Sequence, residues 1–272
     1  MRVGFIGLGG QGAPMARRIT EAGHPLTLWA RRPASLEPFA GTAAGVAGSP
    51  AELAAASDLV CVCVVDDAGV EEVVAGERGV LSGLAAGGVI AVHSTVHPDT
   101  CRSLAGKAAA QGVALIDAPV SGGGPAAAEG RLLVMVGGEA DTVERCRPVF
   151  ASYADPIVHV GPLGAGQVTK LLNNVLFTAN LATAAGALAL GGALDIDPGR
   201  LAEVVSHGSG ASFALDRVSA AGGTLDRIAA HAGALLQKDA RLVAALADAA
   251  GAPAGTVLDA ADAALALMDH PR

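Results

Sequence analysis

The sequence predicts an α/β domain built on a parallel sheet, followed by an all-helical domain, and two observations carry that expectation. The first 160 residues alternate short apolar runs with helical stretches, the runs being "RVGFIG", "LTLWA", "DLVCVCVV", "GVIAVHS", "VALIDAPV", "LLVMVGG" and "PIVHVG". Continuous Val/Ile/Leu runs separated by helices describe parallel strands buried on both faces. After Gly161 the strand signals stop. From Gln167 onward the pattern is helical, punctuated by "DIDPGR", "HGSGAS", "AAGGT" and "AGAPAG". The boundary therefore falls near residues 161 to 165, dividing the chain into 1–162 and 163–272.

Composition agrees and excludes several classes. Of 272 residues 51% are hydrophobic and only 3% aromatic, so the apolar mass is Ala, Val and Leu, suited to helices and close-packed strands. A net charge of −8, with no Lys/Arg run longer than two, excludes a nucleic-acid footprint. The chain passes from "MR" directly into the strand "VGFIG", so no signal peptide and a cytoplasmic location are expected. Cys61, Cys63, Cys101 and Cys146 show no CxxC spacing and read as free thiols in a reducing compartment. Residues 175–194 form an uncharged stretch as long as a membrane span. Its three glycines, Asn180 and lack of a basic flank make it a buried helix of a soluble protein, with no membrane partner.

The first strand leads into "GLGGQGAPMARRI", where Gly7, Gly9 and Gly12 form GxGxxG, with Leu8, Gly10 and Gln11 between them. Such glycines allow a tight turn, backbone contact with a pyrophosphate, and close packing of helix on strand. This is the Rossmann-type dinucleotide fingerprint. An NAD enzyme places an acid at the end of the second strand to hold the ribose 2′-hydroxyl. This chain has "LTLWARRP" there, with Arg31 and Arg32 and no acid. Two guanidiniums grip a 2′-phosphate, so NADP(H) is the expected cofactor; the other reading is an exposed arginine pair on a loop.

The stretches "GFIGLGGQGAPMARRI", "HSTVHPDT", "DAPVSGGGPAAAEGRL", "GAGQVTKLLNN" and "LLQKDARL" stand in the order found in the β-hydroxyacid dehydrogenase family, which the chain resembles over nearly its whole length. The resemblance implies a Rossmann-type domain joined by a long helix to an all-α domain, with the active site in the cleft between them. It implies Lys170 as the catalytic residue, with Ser121, Gly122, Gly123 and Asn174 holding the substrate. It also implies that Val64, Val65 and Thr95 line the cofactor and that Lys238 reaches it. The sequence departs from the family's habit at Gly10–Gln11, at His93 in place of an Asp, at Arg131 in place of a Thr and at His231 in place of a Phe. These departures bear on which substrate is used.

The residues support the same chemistry without the family. Ser121 to Gly124 follow a strand, where α/β sheets bind ligands, and glycines let backbone N–H groups approach a carboxylate. Lys170 and Asn174 are four apart and share one helix face. Lysine is scarce here, three among 18 basic residues. An ammonium can lose its proton within reach of neutral pH and a guanidinium cannot. In oxidation Lys170 takes the hydroxyl proton, and in reduction it donates to the carbonyl oxygen. His93 and His97 flank "STV" with no Cys or carboxylate at metal spacing, so no metal is expected, and His207 in "SHGSG" reads as a loop residue.

The expectation is an NADP-dependent 3-hydroxyacid dehydrogenase or semialdehyde reductase acting on a small carboxylate. It associates as a homodimer or homotetramer through the helix near Gly166, with Ala185 and Leu188 as candidate contacts. Two alternatives stay open: an NADPH-dependent imine reductase, which usually carries Asp or Tyr where Lys170 stands, and a non-catalytic NADP-binding scaffold.

Overall fold

The computed structural model describes residues 1–253 and 255–272. It falls into two compact units, Met1–Lys170 and Leu171–Arg272.

In the first unit the elements run β1 (Val3–Ile6), α1 (Gly12–Glu21), β2 (Leu26–Trp29), a 3₁₀ turn, β3 (Gly45–Val46), α2 (Pro50–Ala55) and β4 (Leu59–Val62). They continue with α3 (Asp67–Ala75), a second 3₁₀ turn, β5 (Val89–Val92), α4 (Pro98–Ala109), β6 (Ala114–Asp117), β7 (Val120–Ser121), α5 (Gly123–Ala128), β8 (Leu132–Gly137), α6 (Ala140–Phe150) and β9 (Ala154–Gly161). The strand order is β3-β2-β1-β4-β5-β6-β8-β7, with β9 on β8. From β3 to β6 every pairing is parallel, Val3 standing beside both Leu26 and Leu59. Order 3-2-1-4-5-6 is that of the doubly wound dinucleotide fold.

Both faces are covered because β1 alternates its side chains. Phe5 packs with Met15, Ile19 and Leu28, whereas Ile6 packs with Leu53, Val60 and Val62 on the opposite face. Phe5 is 0% exposed, so Phe5→Ala should cost about 3–5 kcal/mol. Helix starts are fixed locally: Ser49 Oγ accepts from Glu52 N at 3.2 Å, and Asp66 Oδ1 accepts from Gly69 N at 2.9 Å.

The far edge departs from the all-parallel expectation. β8 runs antiparallel to β6 and β7, registering Asp117 with Gly137 and Val120 with Val134. Only the short α5 separates β7 from β8, too little chain for the crossover that a parallel return requires. The longer α6 then lets β9 lie parallel to β8. β9 is an edge strand, largely exposed on both faces rather than buried.

The helix α7 (Ala165–Ala193) begins in the first unit and runs into the second, where α8 (Pro198–Ser206), α9 (Phe213–Ala220), α10 (Asp226–Ala250) and α11 (Gly255–Leu267) follow. Leu171, Val175, Leu181 and Leu188 of α7 form a core with Leu215, Val218, Leu236 and Leu265. Asp197 and Ser212 cap α8 and α9, and Gly251 in the left-handed conformation ends α10. α7 is less covered than its apolar sequence predicts. Leu172, Leu176, Leu190 and Leu194 are each more than half exposed, and at helical spacing they share one side. Leu188 is buried in its own unit and Ala185 packs against that core, so neither belongs to this exposed stripe. By length and composition alone, α7 is the one helix among the described residues long and apolar enough to cross a membrane.

Candidate active site

The glycine loop stands between the carboxyl ends of β1 and β4, at the topological switch point. Gly7 has φ +100°, and a Cβ there would lie 2.0 Å from the Cys63 carbonyl oxygen, so only glycine fits. A Cβ on Gly12 would lie 1.9 Å from Gly7 O, which allows α1 to press against the turn. Gly9 and Gly10 face open space. Tight turn, open approach and close helix packing are the three requirements of a pyrophosphate cradle at a helix N-terminus, so the residues fit a dinucleotide. Leu8 is buried, and Gln11 occupies the N-cap of α1 with its Nε2 buried and lacking a hydrogen-bond partner. An unpaired buried donor costs free energy until an acceptor arrives.

Around this loop the sheet ends are tied together. Ser94 Oγ accepts from Val64 N at 2.8 Å, fixing the β4 loop to the segment carrying Thr95. Val64 and Thr95 are half-buried, and Val65 is exposed. The second glycine loop abuts the first: a Cβ on Gly124 would come within 2.5 Å of Gly10 O. Ser121 ends β7, and Gly122 and Gly123 adopt φ +126° and +73°. The predicted substrate loop and the predicted pyrophosphate loop are therefore neighbours within one unit.

Lys170 is placed by groups the sequence reading passed over. Asp117, at the end of β6 and fully buried, accepts from Gly164 N through Oδ1 and from Gln167 N through Oδ2, both at 2.7 Å. A carboxylate on the free N–H groups of a helix start is favourable on both hydrogen-bond and dipole grounds. Burial nevertheless leaves the Asp117 carboxyl above the usual carboxylate range, the N–H bonds opposing that rise only in part. Gln167, also fully buried, donates to Ser94 O at 2.8 Å and accepts from Val96 N at 3.1 Å. The first turn of α7 is thus bolted to β6 and to the Thr95 segment. Lys170 lies three residues beyond Gln167 and is itself buried, at 9% exposure.

In the second unit Asn174 Nδ2 donates to Asp239 Oδ2 at 2.6 Å, and Asp239 Oδ1 pairs with Lys238 Nζ at 3.1 Å. Asp239 is 4% exposed, so it fixes the amide of Asn174 while its own charge is balanced by Lys238. Asp117, Gln167 and Asp239 all lie inside or beside the quoted motifs. Nothing in a one-dimensional pattern marks which polar residue becomes a buried anchor.

The two arginines expected to meet a 2′-phosphate both stand at the end of β2, and Arg32 is exposed. Arg31 is paired: its Nη2 lies 2.5 Å from Glu72 Oε2 on α3. His93 sits in the core, with Nδ1 2.6 Å from Ala118 O and Nε2 3.1 Å from Tyr153 Oη. Burial lowers its pKa to about 4, so the ring is neutral, Nδ1–H donating to Ala118 and Nε2 accepting from Tyr153. His231 is exposed and its Nδ1 faces Arg227 O, while Arg131 pairs with Glu129 on the surface.

The family described as the NAD binding domain of 6-phosphogluconate dehydrogenase matches residues 2–161. The one described as "NAD-binding of NADP-dependent 3-hydroxyisobutyrate dehydrogenase" matches 164–270. The 3-hydroxyisobutyrate dehydrogenase of Pseudomonas aeruginosa is 37% identical over 214 residues, 79% of this chain and 72% of that one. The chain belongs to the β-hydroxyacid dehydrogenase family. An NAD-dependent L-serine dehydrogenase of the same organism is 36% identical over 215 residues, again 79% and 72% of the two chains. Among solved structures, a Mycobacterium tuberculosis 3-hydroxyisobutyrate dehydrogenase with L-serine superposes with TM-score 0.85 at 28% identity, over 99% of this chain and 95% of that one. Psf3 in complex with NADP+ and 2-OPP gives TM-score 0.85 at 27% identity, over 98% and 93%. An imine reductase from Pseudomonas sp., 21% identical with TM-score 0.67 over 95% and 90%, shares the fold. This member of the family is an oxidoreductase of the nicotinamide-dependent hydroxyacid dehydrogenase class.

Proposed function

We propose that this oxidoreductase uses NADP(H) to interconvert a small 3-hydroxy acid and its semialdehyde or keto form, with Lys170 as general acid–base. The observation that carries the reading is the placement of Lys170. A scarce, buried lysine stands one helical turn beyond Gln167, which is locked to the segment of Thr95 and to Asp117. Such fixing is what proton transfer requires of a catalytic group.

Ser121, Gly122 and Gly123 hold the substrate carboxylate through backbone N–H groups and the hydroxyl. Asn174, oriented by Asp239, holds a substrate oxygen. Gly7 to Gly12 take the pyrophosphate, with Leu8, Gly10 and Gln11 completing that loop. Arg31 and Arg32 meet the 2′-phosphate; Val64, Val65, Thr95 and Lys238 complete the cofactor site. NADP(H), when bound, supplies or accepts the hydride. Lys170 donates its proton to the carbonyl oxygen in reduction and takes it from the hydroxyl in oxidation.

Residues 1–162 serve as the NADP-binding domain and 163–272 as the substrate and dimerisation domain of a cytoplasmic homodimer or homotetramer. Incubation with NADPH and a panel of small semialdehydes, followed by the loss of NADPH absorbance, tests the reading. Activity on acids of about three to five carbons is expected, the size that one carboxylate subsite with few aromatics accepts. Strong reduction of cyclic imines with none of semialdehydes overturns it.

A further inference from the structure

In this fold the end of β2 meets the 2′ position of the adenosine ribose, where a phosphate or a hydroxyl distinguishes the two cofactors. Here that end carries Arg31 and Arg32 and no acid of its own. The acid arrives from elsewhere: α3 brings the Glu72 carboxylate to 2.5 Å from Arg31 Nη2, across 41 positions of sequence. The pair rests on one N–H bond rather than a two-pronged grip, and both side chains are about two-thirds exposed, at 64% and 66%. An ion pair of this kind is weak and exchanges readily with solvent or with another anion. Glu72 also lines, with Trp29, Ser49 and Val73, a cavity of about 260 Å³ beside the same strand end.

We propose that Glu72 is a cofactor-specificity residue, whose carboxylate competes with the 2′-phosphate for Arg31 and so restrains the NADP(H) preference that the arginine pair confers. The inference rests on the reading that Arg31 meets the 2′ end of the cofactor. A 2′-phosphate offers Arg31 three acceptor oxygens and nearly two negative charges, a better partner than one carboxylate oxygen. To grip it through the arm that now donates to Glu72, Arg31 gives up that bond, and the displaced carboxylate then remains beside a like charge. NAD(H) meets no such conflict, because a 2′-hydroxyl is neutral and can donate to a carboxylate.

The test is calorimetric titration of the purified protein with NADP+ and NAD+ in the absence of substrate, with emission of the single tryptophan, Trp29, as a second readout. Glu72→Gln should tighten NADP+ by up to about fivefold, the factor that an exposed ion pair of at most ~1 kcal/mol withholds from a ligand competing for the same guanidinium. NAD+ affinity should stay within about twofold or weaken, its neutral 2′-hydroxyl having no like charge to lose. In an Arg31→Ala background the same substitution should gain NADP+ less than about twofold, since there is no guanidinium left to release. Unchanged NADP+ affinity in Glu72→Gln, or equal gains for both cofactors, overturns the proposal. So does a full gain without Arg31, which would leave plain repulsion as the cause. A wild-type protein that binds NAD+ more tightly than NADP+ refutes the cofactor reading instead. The variant-to-wild-type ratios still decide the role of Glu72 in that case.

Discussion

His93 should make this protein lose stability steeply between pH 6.5 and 4. An unfolded histidine titrates near ~6.5. In the fold its ring is 2% exposed and its pKa lies at about 4, burial being the dominant cause and the bond to Ala118 O opposing it. The folded pKa of a base is therefore depressed. Between the two values the unfolded state binds the extra proton, so stability is complete above 6.5 and falls as pH drops towards 4. The loss comes to about 2 kcal/mol at pH 5 and about 3 kcal/mol at pH 4, flattening below that once the folded ring also protonates. The groups around the ring do not blur this window, since burial pushes the Cys61 and Cys146 thiols and the Tyr153 phenol upward, out of the acid range. Urea unfolding at pH 7.5, 5 and 4 should be run on the wild type and on His93→Phe. The variant will be weaker throughout, because Ala118 O and Tyr153 Oη lose a partner. Its decline from pH 7.5 to 4 should be shallower than the wild type's by about 3 kcal/mol, the protonation free energy of that one ring. Parallel declines would refute the argument. Carboxyl groups such as Asp117 are common to both proteins and cancel in the difference. Should His93→Phe not fold, His93→Gln gives the same comparison.

Lys170→Ala should lower kcat by about 10²-fold or more, as loss of a general acid–base does, while NADP+ affinity measured by calorimetry changes little. Near-normal turnover would remove Lys170 from the mechanism. Gly9→Ala and Gly12→Ala should separate binding from folding. Gly9 faces open space, so its alanine should fold with stability within about 0.5 kcal/mol of wild type yet bind NADP+ at least about tenfold more weakly, because the methyl stands where a pyrophosphate must approach. The Cβ of Gly12→Ala meets the Gly7 carbonyl, so that variant should show a lowered thermal midpoint before any ligand is added. Light scattering on a size-exclusion column should find a mass at least twice 26.6 kDa at micromolar concentration. Leu190→Asp, on the exposed stripe of α7, should shift that mass towards the monomer, and a wild-type monomer would refute the dimer.

Local pattern carried much of this protein. The seven apolar runs each became a strand: β1, β4 and β5 are buried at every position and so must be apolar throughout, whereas the exposed edge strand β9 was legible from its β-branched residues alone. The glycine fingerprint was legible for a similar reason: Gly7 and Gly12 are demanded by backbone contacts a few residues away, so the constraint is written at the same spacing as the structure. The arginines after β2 and the lysine on α7 stood out as candidates because their residue types are unusual where they stand. The antiparallel β8 was not legible, since a strand's apolar run is the same whichever way its neighbour points; only the brevity of α5 sets its direction.

What the sequence by itself determined was the order of elements and the glycine turn between β1 and α1, which rest on residues near one another along the chain, and it singled out Lys170 as the residue proposed for proton transfer. Tertiary structure decided which polar groups became anchors. Asp117 and Gln167, 50 residues apart, meet only because β6 delivers a carboxylate to the first turn of α7. Folding also gave Arg31 a carboxylate from α3 at the strand end that has no acid of its own. His93, flanking a motif in sequence, was taken into the core and given Ala118 O and Tyr153 as partners. Burial and electrostatic pairing depend on distance through space, and for these residues the chain folds before that distance exists.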